Sequence, residues 1–558
     1  MAGAIIENMS GRKLAIIGSV LLLGQIFCFI IGAVLSPAPN NSNQHLATKC
    51  YNPRGSKEKD AWFIPHGDDS CRRIDSVADQ EILDNHMTAD NVVFAVHMPP
   101  KKSNTQFDFS RWQQNLIGVM MLDIEYQEED EPLKEVHLMV EARLGYRNKE
   151  DPPGVWTEYA KSFEARNLNC DIDEEKRVPG YYYNCSMLPL FDLGSLHHDY
   201  YLLNIRLPTV FLDSRNQVQE INEDIGKLVD IWLIAINQNG GFTKIWVSLK
   251  TVFFPIIILE MIWFWNRISM LSRAPNLLEK TLLSLGLALT FLNLPLEYLT
   301  LAYEMPWLNL FNDIKQGIFY ANLLIFWLIF AGEHLMSDQG VGDPNGIFAY
   351  WKNLSVVLFG CLCLFVFDMC ERGVQLQNPF YSIWVTELGT NLALGFIILA
   401  GISAGLYFLF LCYLIRKVFL NIADRSSSFT SMSQIRRLHY QGIIWRFKFL
   451  MLATLLTAAL TVIGFIIGQV SEGAYKWDED LGSTLQYTSG FLTGVYGLWN
   501  IYIFGLLFLY APSHKTWGNE DTHSTGEEVE FDVTGAGTQG DQSEMSSLTE
   551  FIRHQATD

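Results

Sequence analysis

The chain has 558 residues, a formal net charge of −20 and 49% hydrophobic residues. The hydrophobic residues collect into stretches of about twenty, the length that crosses a bilayer as a helix, which excludes a wholly soluble protein. The excess of acidic residues disfavours nucleic acid as a partner and favours a basic partner.

Eight apolar stretches predict a polytopic α-helical membrane protein with eight transmembrane helices. The first follows Arg12 and Lys13, is long for a signal-peptide core and has no clear cleavage site after it. This favours an uncleaved signal anchor over a cleaved signal peptide. The predicted spans are Leu14–Leu35, Trp246–Trp265, Leu278–Leu301, Ile314–His334, Leu354–Met369, Thr386–Ile415, Ile444–Gln469 and Leu485–Tyr510.

The polar segment 36–245, between the first two spans, is long enough for an independent domain. Its β-branched and aromatic runs, such as "NVVFAVHMP" and "KLVDIWLIAINQ", are separated by polar turns. They predict an antiparallel β-sandwich of seven or eight strands. The sequence Asn239-Gly240-Gly241 predicts a hairpin turn before a last strand, "FTKIWVSLK", that continues into the second span.

Four cysteines lie in this domain, and in an oxidising compartment they predict two disulfides. Three connectivities are possible, and proximity favours Cys50–Cys71 and Cys170–Cys185. No CxxC pair occurs in the chain, so we expect no metal site, and no feature of the sequence indicates a cofactor. Sequons at Asn40 and Asn184 are glycosylation candidates.

Basic residues in the short loops predict the orientation. They cluster after the second span and between the sixth and seventh spans, which places both termini in the cytoplasm and the sandwich in the lumen or outside the cell. Residues 36–245 carry a net charge of −12 and residues 511–558 one of −8. The predicted segments are a cytoplasmic N-terminus (1–13), the anchor helix (14–35), a lumenal sandwich (36–245), a seven-helix bundle (246–510) and a disordered acidic cytoplasmic tail (511–558).

An enzyme built this way needs ionisable side chains that converge in or beside the membrane. Only one histidine, His334, is near a span, and no G-x-S-x-G or H-E-x-x-H motif occurs. We therefore expect no catalytic residues and no enzymatic activity. The two halves of the bundle also lack the internal sequence repeat that is typical of secondary transporters, which disfavours a transporter.

Several long motifs resemble one known family. They are "AGAIIENMS", "HDYYLLNIRLP", "NQNGGFTKIW", "DIKQGIFYA", "FDMCERGVQLQNPFYSIW", "RRLHYQGIIWRFKFLML" and "FLYAPSHK". Together they are similar to the Wntless family of Wnt cargo receptors. The resemblance implies a lumenal β-sandwich and a last-seven-helix bundle like that of a G-protein-coupled receptor. It also implies carriage of palmitoleoylated Wnt proteins from the endoplasmic reticulum and Golgi to the cell surface, followed by endocytosis into vesicles and retrieval from endosomes by retromer.

A bundle that shields an acyl chain needs an apolar cavity, and the aromatic-rich fourth and fifth spans are candidates for its wall. The alternative is that these side chains face membrane lipids or neighbouring helices. The segment Phe367–Trp384 is expected at the lumenal rim. The candidate lipid- and cargo-binding residues are Phe319, Tyr320, Leu323, Phe326, Trp327, Phe330, Phe359, Leu362, Phe365, Phe367, Arg372, Phe380 and Tyr381.

On the cytoplasmic side, Tyr440 and Ile443 match the Y-x-x-bulky pattern that clathrin adaptors read as an extended peptide. The alternative is that Tyr440 is an interfacial anchor. The main alternative for the whole protein is a seven-helix signalling receptor whose ectodomain senses a soluble ligand.

Overall fold

The structure is a computed structural model. It describes residues 4–51, 71–74, 91–102, 105–128, 136–152, 154–212, 218–271, 273–336, 351–426, 434–477 and 485–513.

Within these residues, eight helices are long and apolar enough to cross a membrane, which confirms the predicted number. A short turn, Ile5–Asn8, precedes the first, and a π-helical turn, Ile31–Leu35, extends it. The helices are α1 (Gly11–Ile30), α2 (Gly240–Ser269), α3 (Leu277–Leu292), α4 (Leu308–Met336), α5 (Trp351–Gln375), α6 (Glu387–Ser426), α7 (Gln434–Trp477) and α8 (Leu485–Tyr510).

The segment between α1 and α2 is an antiparallel β-sandwich, as predicted, but among the described residues its two sheets contain ten strands instead of seven or eight. One sheet has the order β1 (Asn40–Leu46), β16 (Lys227–Gln238), β7 (Leu116–Glu125), β12 (Leu188–Leu193). The other has the order β3 (Arg72–Arg73), β2 (Thr48–Tyr51), β4 (Val92–Met98), β13 (Tyr200–Arg206), β8 (Val136–Arg147), β9 (Thr157–Leu168). Three small hairpins are β5–β6 (Lys101–Lys102, Thr105–Gln106), β10–β11 (Cys170–Asp171, Asn184–Cys185) and β14–β15 (Val210–Leu212, Val218–Glu220).

Alternating side chains from both sheets fill the core of the sandwich. In β8 the buried and less buried positions alternate along most of the strand, as expected for a sheet with one face in the core. Leu138, Leu144, Leu203 and Leu233 are fully buried in this core. Two disulfides, Cys50–Cys71 and Cys170–Cys185, tie down its loops, in the pairing that proximity favoured.

The junction between sandwich and bundle differs from the prediction. Asn239 is the N-cap of α2 and its side chain accepts a hydrogen bond from the Gly241 amide. The predicted hairpin turn and last strand are therefore wrong, because residues 240–250 are helical. Asn and Gly favour both turns and helix starts, and here β16 passes into α2 through the single residue Asn239.

The helix α8 is the centre of the bundle. In its apolar window 72% of residues are buried, against 6% in those of α1 and α6. Glycines let α1 approach it closely: a Cβ on Gly494 would stand 2.2 Å from the Phe29 ring, and one on Gly497 would stand 2.5 Å from Cys28 Cβ. Small residues that bring two backbones together are typical of membrane helix pairs.

The end of the bundle opposite the sandwich is closed by the two terminal segments. The Ile5 amide donates to the Ala511 carbonyl at 3.0 Å, and Ile6 is buried in the bundle core. Arg446 of α7 donates to the Ile6 carbonyl, and Arg267 of α2 donates to the Pro512 carbonyl. The other end, which we call the sandwich end, carries the candidate site.

Candidate functional site

The loop between α5 and α6 is fastened to the sandwich. Phe380 is 1% exposed and belongs to the sandwich core, where its ring packs edge-on against Phe191. The Asp192 amide donates to the Pro379 carbonyl at 2.8 Å, and Asn167 donates to the Val385 carbonyl at 2.9 Å. The segment predicted as a rim is therefore part of the sandwich–bundle interface.

Arg166 of β9 is the central contact of this interface. It is 2% exposed, and its guanidinium donates to the carbonyl oxygens of Pro189, Leu190 and Phe380, the last at 2.6 Å. Burial lowers the pKa of Arg166, whereas the neighbouring Glu164 carboxylate raises it. The planar guanidinium suits several fixed acceptors at once, so Arg166 holds β12 and the α5–α6 loop together.

The loop between α3 and α4 is held by other sandwich residues. Arg111 donates to the Leu301 carbonyl at 2.7 Å, and Gln114 donates to the Thr300 hydroxyl at 3.1 Å. The Tyr159 hydroxyl donates to a Glu304 carboxylate oxygen at 3.5 Å, and burial, with the Glu304 charge, raises the pKa of Tyr159 to about 12. The strand β9 thus contacts both loops at the sandwich end.

A cleft of about 200 Å³, partly open to solvent, lies between these loops and the sandwich. Arg372 of α5, which borders the cleft, forms an ion pair with Asp313 of α4, with Arg372 Nε and Asp313 Oδ2 3.1 Å apart. The cleft is lined by Tyr159, Ala160, Asp192, Leu193, Gly194, Pro306, Asn309, Leu310, Arg372, Gln375, Leu376, Gln377 and Pro379. This mixture of donors, acceptors and short apolar patches suits a polypeptide segment.

The sandwich-side halves of α4 and α6 face each other with small residues. Gly317 and Ala321 lie on the α4 face that also carries Leu324, one and two turns further along. Phe396, Ala400 and Ala404 lie on one face of α6 and are only half-buried. We call the space between these two faces the groove. Gly317 is exposed, and a Cβ on it would meet no atom within 4 Å.

The groove ends at Tyr407 on the same face of α6. The Tyr407 hydroxyl donates to the Leu324 carbonyl at 2.7 Å and joins α6 to α4. Beyond it, Leu411, Ile415 and Val418 are 0 to 2% exposed and fill the core. The contact between α4 and α6 is therefore closely packed from Tyr407 onward.

Of the six candidate residues on α4, four face away from the groove. Phe319, Leu323, Phe326 and Phe330 are 0 to 1% exposed and pack in the bundle core. Phe319 and Phe330, for example, contact Trp499 and Tyr510 of α8. These four side chains therefore do not line open space in this structure.

Tyr320 and Trp327 lie at the edges of the groove. Tyr320 is half-buried and packs edge-on against Trp499, 5.4 Å between ring centroids. Trp327 is 1% exposed and its indole N–H donates to the Tyr502 hydroxyl at 3.2 Å. Trp327 therefore belongs to the closed end, and Tyr320 remains a candidate for the side wall.

On α5 the candidates divide by helix face. Phe359, Leu362 and Phe365 are 42 to 62% exposed, and Phe359 lies opposite the face that buries Leu354 and Val357. They face outward, where a bilayer would surround the helix. Phe367 is half-buried, at the edge of the inner face, so it alone of these four stays near the groove.

The rim candidates have different positions. Arg372 borders the cleft, and Tyr381 is half-buried with its carbonyl accepting a hydrogen bond from Gln375 at 3.2 Å. Phe380 does not reach the cleft, because it is buried among sandwich residues. A sandwich contact for this loop was not predicted.

The remaining predicted residues lie elsewhere. Asn184 is exposed on β11, and Asn40 is half-exposed at the start of β1. Residues 440–443 lie inside α7, so an adaptor that reads an extended peptide needs this turn of helix to unwind. The predicted tail beyond residue 513 lies outside the described residues.

Buried charges lie beside the groove, in the bundle. Lys250 of α2 pairs with Glu297, which follows α3, and both are 4% exposed. Lys315 of α4 is 1% exposed and donates to the Leu294 carbonyl at 3.4 Å. The cluster holds two ammonium groups and one carboxylate, and it ties together three helices at the sandwich end.

These features define a class: a multi-pass membrane protein whose β-sandwich is fastened over a seven-helix bundle. The profile of "Wntless, GOLD domain" matches residues 48–238, and that of "Wntless-like, transmembrane domain" matches residues 239–514. The chain therefore belongs to the Wntless family. It is 50% identical to "Protein wntless" of Drosophila mojavensis over 574 aligned residues, with all of both chains covered. It is 48% identical to that of Drosophila virilis, again over the full length of both, and 49% identical to that of Drosophila pseudoobscura pseudoobscura, with 99% of both covered.

Proposed function

We propose that this protein carries lipidated Wnt proteins through the secretory pathway, with the peptide around the acylated serine in the cleft and the acyl chain in the groove. The observation that supports this most is the cleft at the sandwich end, which lies between the sandwich and the loops of the bundle. Arg372, which borders the cleft, is paired with Asp313, and the groove begins one turn further along α4, at Gly317.

The energetic need for such a carrier is large. Exposing a long acyl chain to water costs on the order of 10 kcal/mol, at about 0.8 kcal/mol for each buried methylene. A groove open toward the bilayer and the lumen removes this cost while the cargo leaves the donor membrane. The bundle then binds without reacting, so no catalytic residue is assigned.

The acidic sandwich supplies a second contact. Residues 36–245 have a net charge of −12, which complements a basic, cysteine-rich cargo protein. Two modest contacts on one cargo molecule act together, because the first raises the effective concentration of the second. Lumenal orientation of the sandwich and cytoplasmic termini are part of this proposal.

Traffic between the endoplasmic reticulum, Golgi, plasma membrane and endosomes follows from the same role. Return from the surface needs a clathrin adaptor and retromer on the cytoplasmic side. Tyr440 and Ile443 remain the candidate adaptor signal, available when the first turns of α7 unwind.

Filling the groove tests the lipid site. Ala400→Trp places an indole between α4 and α6, so we expect recovery of acylated Wnt with the purified carrier to fall at least tenfold. The control is Gly401→Trp, on the exposed side of the same helix, where a Cβ meets no atom within 4 Å. Equal recovery by both variants, at equal expression and with the same elution position, would contradict the assignment of the groove.

A further inference from the structure

The strand β9 is an edge of the larger sheet of the sandwich. It stands last in the sheet order, and β8 is its neighbour in the ladder. Successive residues of an antiparallel strand turn their N–H and C=O groups alternately to either side, so every second residue of β9 turns them away from β8. Such an edge is a template on which another extended chain can pair.

The second half of β9 is covered by other parts of the protein. Glu164 accepts a hydrogen bond from Asn378 at 2.7 Å, and Asn167 donates to the Val385 carbonyl at 2.9 Å, so the α5–α6 loop lies against this half. Arg166 joins the same half to carbonyl oxygens of β12. From Glu164 onward, β9 therefore belongs to the sandwich–bundle interface.

The first half of β9 is not covered in this way, and we call its residues 158–162 the free edge. Glu158 and Lys161 are exposed, and the other three residues are half-buried. Within the described part of the chain, no backbone hydrogen bond joins the free edge to any segment other than β8. The Ser162 hydroxyl is buried and has no hydrogen-bond partner among the described residues. The free edge therefore offers hydrogen-bonding groups that the described fold leaves unused.

The free edge leads into the cleft. Tyr159 and Ala160 are part of the free edge and also line the cleft. Leu144 of β8 pairs with Ala160 and Gly145 pairs with Glu158, so Tyr159 is the extra residue of a β-bulge. A bulge bends its strand and aims a side chain in a new direction. An extended chain that pairs with this edge therefore reaches the cleft at Tyr159.

We propose that the free edge binds cargo by β-strand addition: the peptide beside the acylated serine pairs with residues 158–162 as an additional strand of the larger sheet. This inference rests on the proposed function, which places that peptide in the cleft. The occupant is a polypeptide because only a polypeptide carries N–H and C=O groups at the spacing of a strand, about 3.3 Å per residue. In this mode main-chain hydrogen bonds supply the affinity, so cargo proteins with different side chains pair with the same edge.

The first experiment measures capture of a linear cargo peptide, acylated on its serine, by the full-length carrier in nanodiscs. One backbone N-methyl group is placed at each position of the peptide in turn. At every second position the methyl group should lower capture about fivefold, because it removes one N–H that faces β9. The positions between them should be captured like the unmethylated peptide. Equal capture of all methylated peptides, with the acyl chain still required, overturns this inference alone. Equal capture of acylated and unacylated peptides overturns the proposed lipid site itself.

The second experiment uses a whole acylated cargo protein and removes N–H groups from the carrier. Lys161→Pro and Ser162→Pro each remove one N–H, and one of these two groups points away from β8. Proline at the outward position is compatible with an edge strand, so that variant should elute like wild type. Its capture of cargo should fall about fivefold. Lys161→Ala keeps the N–H and should capture normally, because the contact uses the main chain.

Two results of the second experiment contradict the inference. One is wild-type capture by a proline variant that elutes like wild type. The other is conversion of a dimeric carrier into a monomer by that variant, which would assign the free edge to a second copy of the chain. Capture of the whole acylated cargo without any capture of the acylated linear peptide also overturns the inference, since β-strand addition needs a single strand.

Discussion

Glu297→Gln should destabilise the bundle far more than Lys250→Met. Removing the Glu297 charge leaves two ammonium groups, Lys250 and Lys315, buried without an anion among the described residues. Breaking a buried ion pair from one side costs roughly 3 to 5 kcal/mol. Removing Lys250 instead leaves Glu297 with Lys315, so the cluster becomes neutral. The loss of stability should therefore be clearly smaller.

The measurement is the unfolding midpoint of the two purified variants in the same detergent. Glu387→Gln, an exposed acid at the start of α6, is the matched control and should unfold with the wild type. An equal decrease in the unfolding midpoint for Glu297→Gln and Lys250→Met would show that Lys315 does not interact with Glu297. Lys250 and Glu297 would then form an isolated ion pair.

Arg166→Ala should release the α5–α6 loop from the sandwich. The substitution leaves the carbonyl oxygens of Pro189, Leu190 and Phe380 without their charged donor in a buried interface. Each buried unsatisfied group costs about 1 to 3 kcal/mol. We expect faster proteolysis of the loop and weaker cargo capture, because Pro379 and Gln377 form one wall of the cleft.

Two further variants sharpen this result. Arg166→Lys keeps the charge but cannot reach the same set of acceptors, so it should behave more like Arg166→Ala than like wild type. Lys161→Ala removes an exposed charge from the same strand, so it should change neither the rate of loop proteolysis nor the capture of cargo. A stable loop in Arg166→Ala would mean that the packing of Phe380 and the hydrogen bonds from Asp192 and Asn167 hold the interface without Arg166.

The sequence predicted the elements whose side chains are hydrophobic. The strands β4 and β16 and all eight spans were predicted because their buried side chains are apolar. The edge strand β1, "NNSNQHL", was missed because polar residues disfavour strands. Its backbone pairing with β16, from Asn40–Gln238 to Leu46–Trp232, decides its structure instead.

The site was harder to predict for a related reason. Large aromatic residues such as Phe319 and Phe326 were expected to line a cavity, but large side chains fill space and pack against α8. The proposed groove lies beside Gly317, Ala400 and Ala404. The pair Ala400 and Ala404, four positions apart on α6, was the available signal. The contact of Phe380 with the sandwich joins residues about 190 positions apart, and no local pattern reveals it.

The most direct test of the account compares one purified carrier with two forms of the same Wnt, one acylated and one with its acylated serine replaced by alanine. The account predicts strong recovery of the acylated form and at least a tenfold loss with the other. Equal recovery of both forms would contradict an acyl-binding groove and leave the acidic sandwich as the cargo contact.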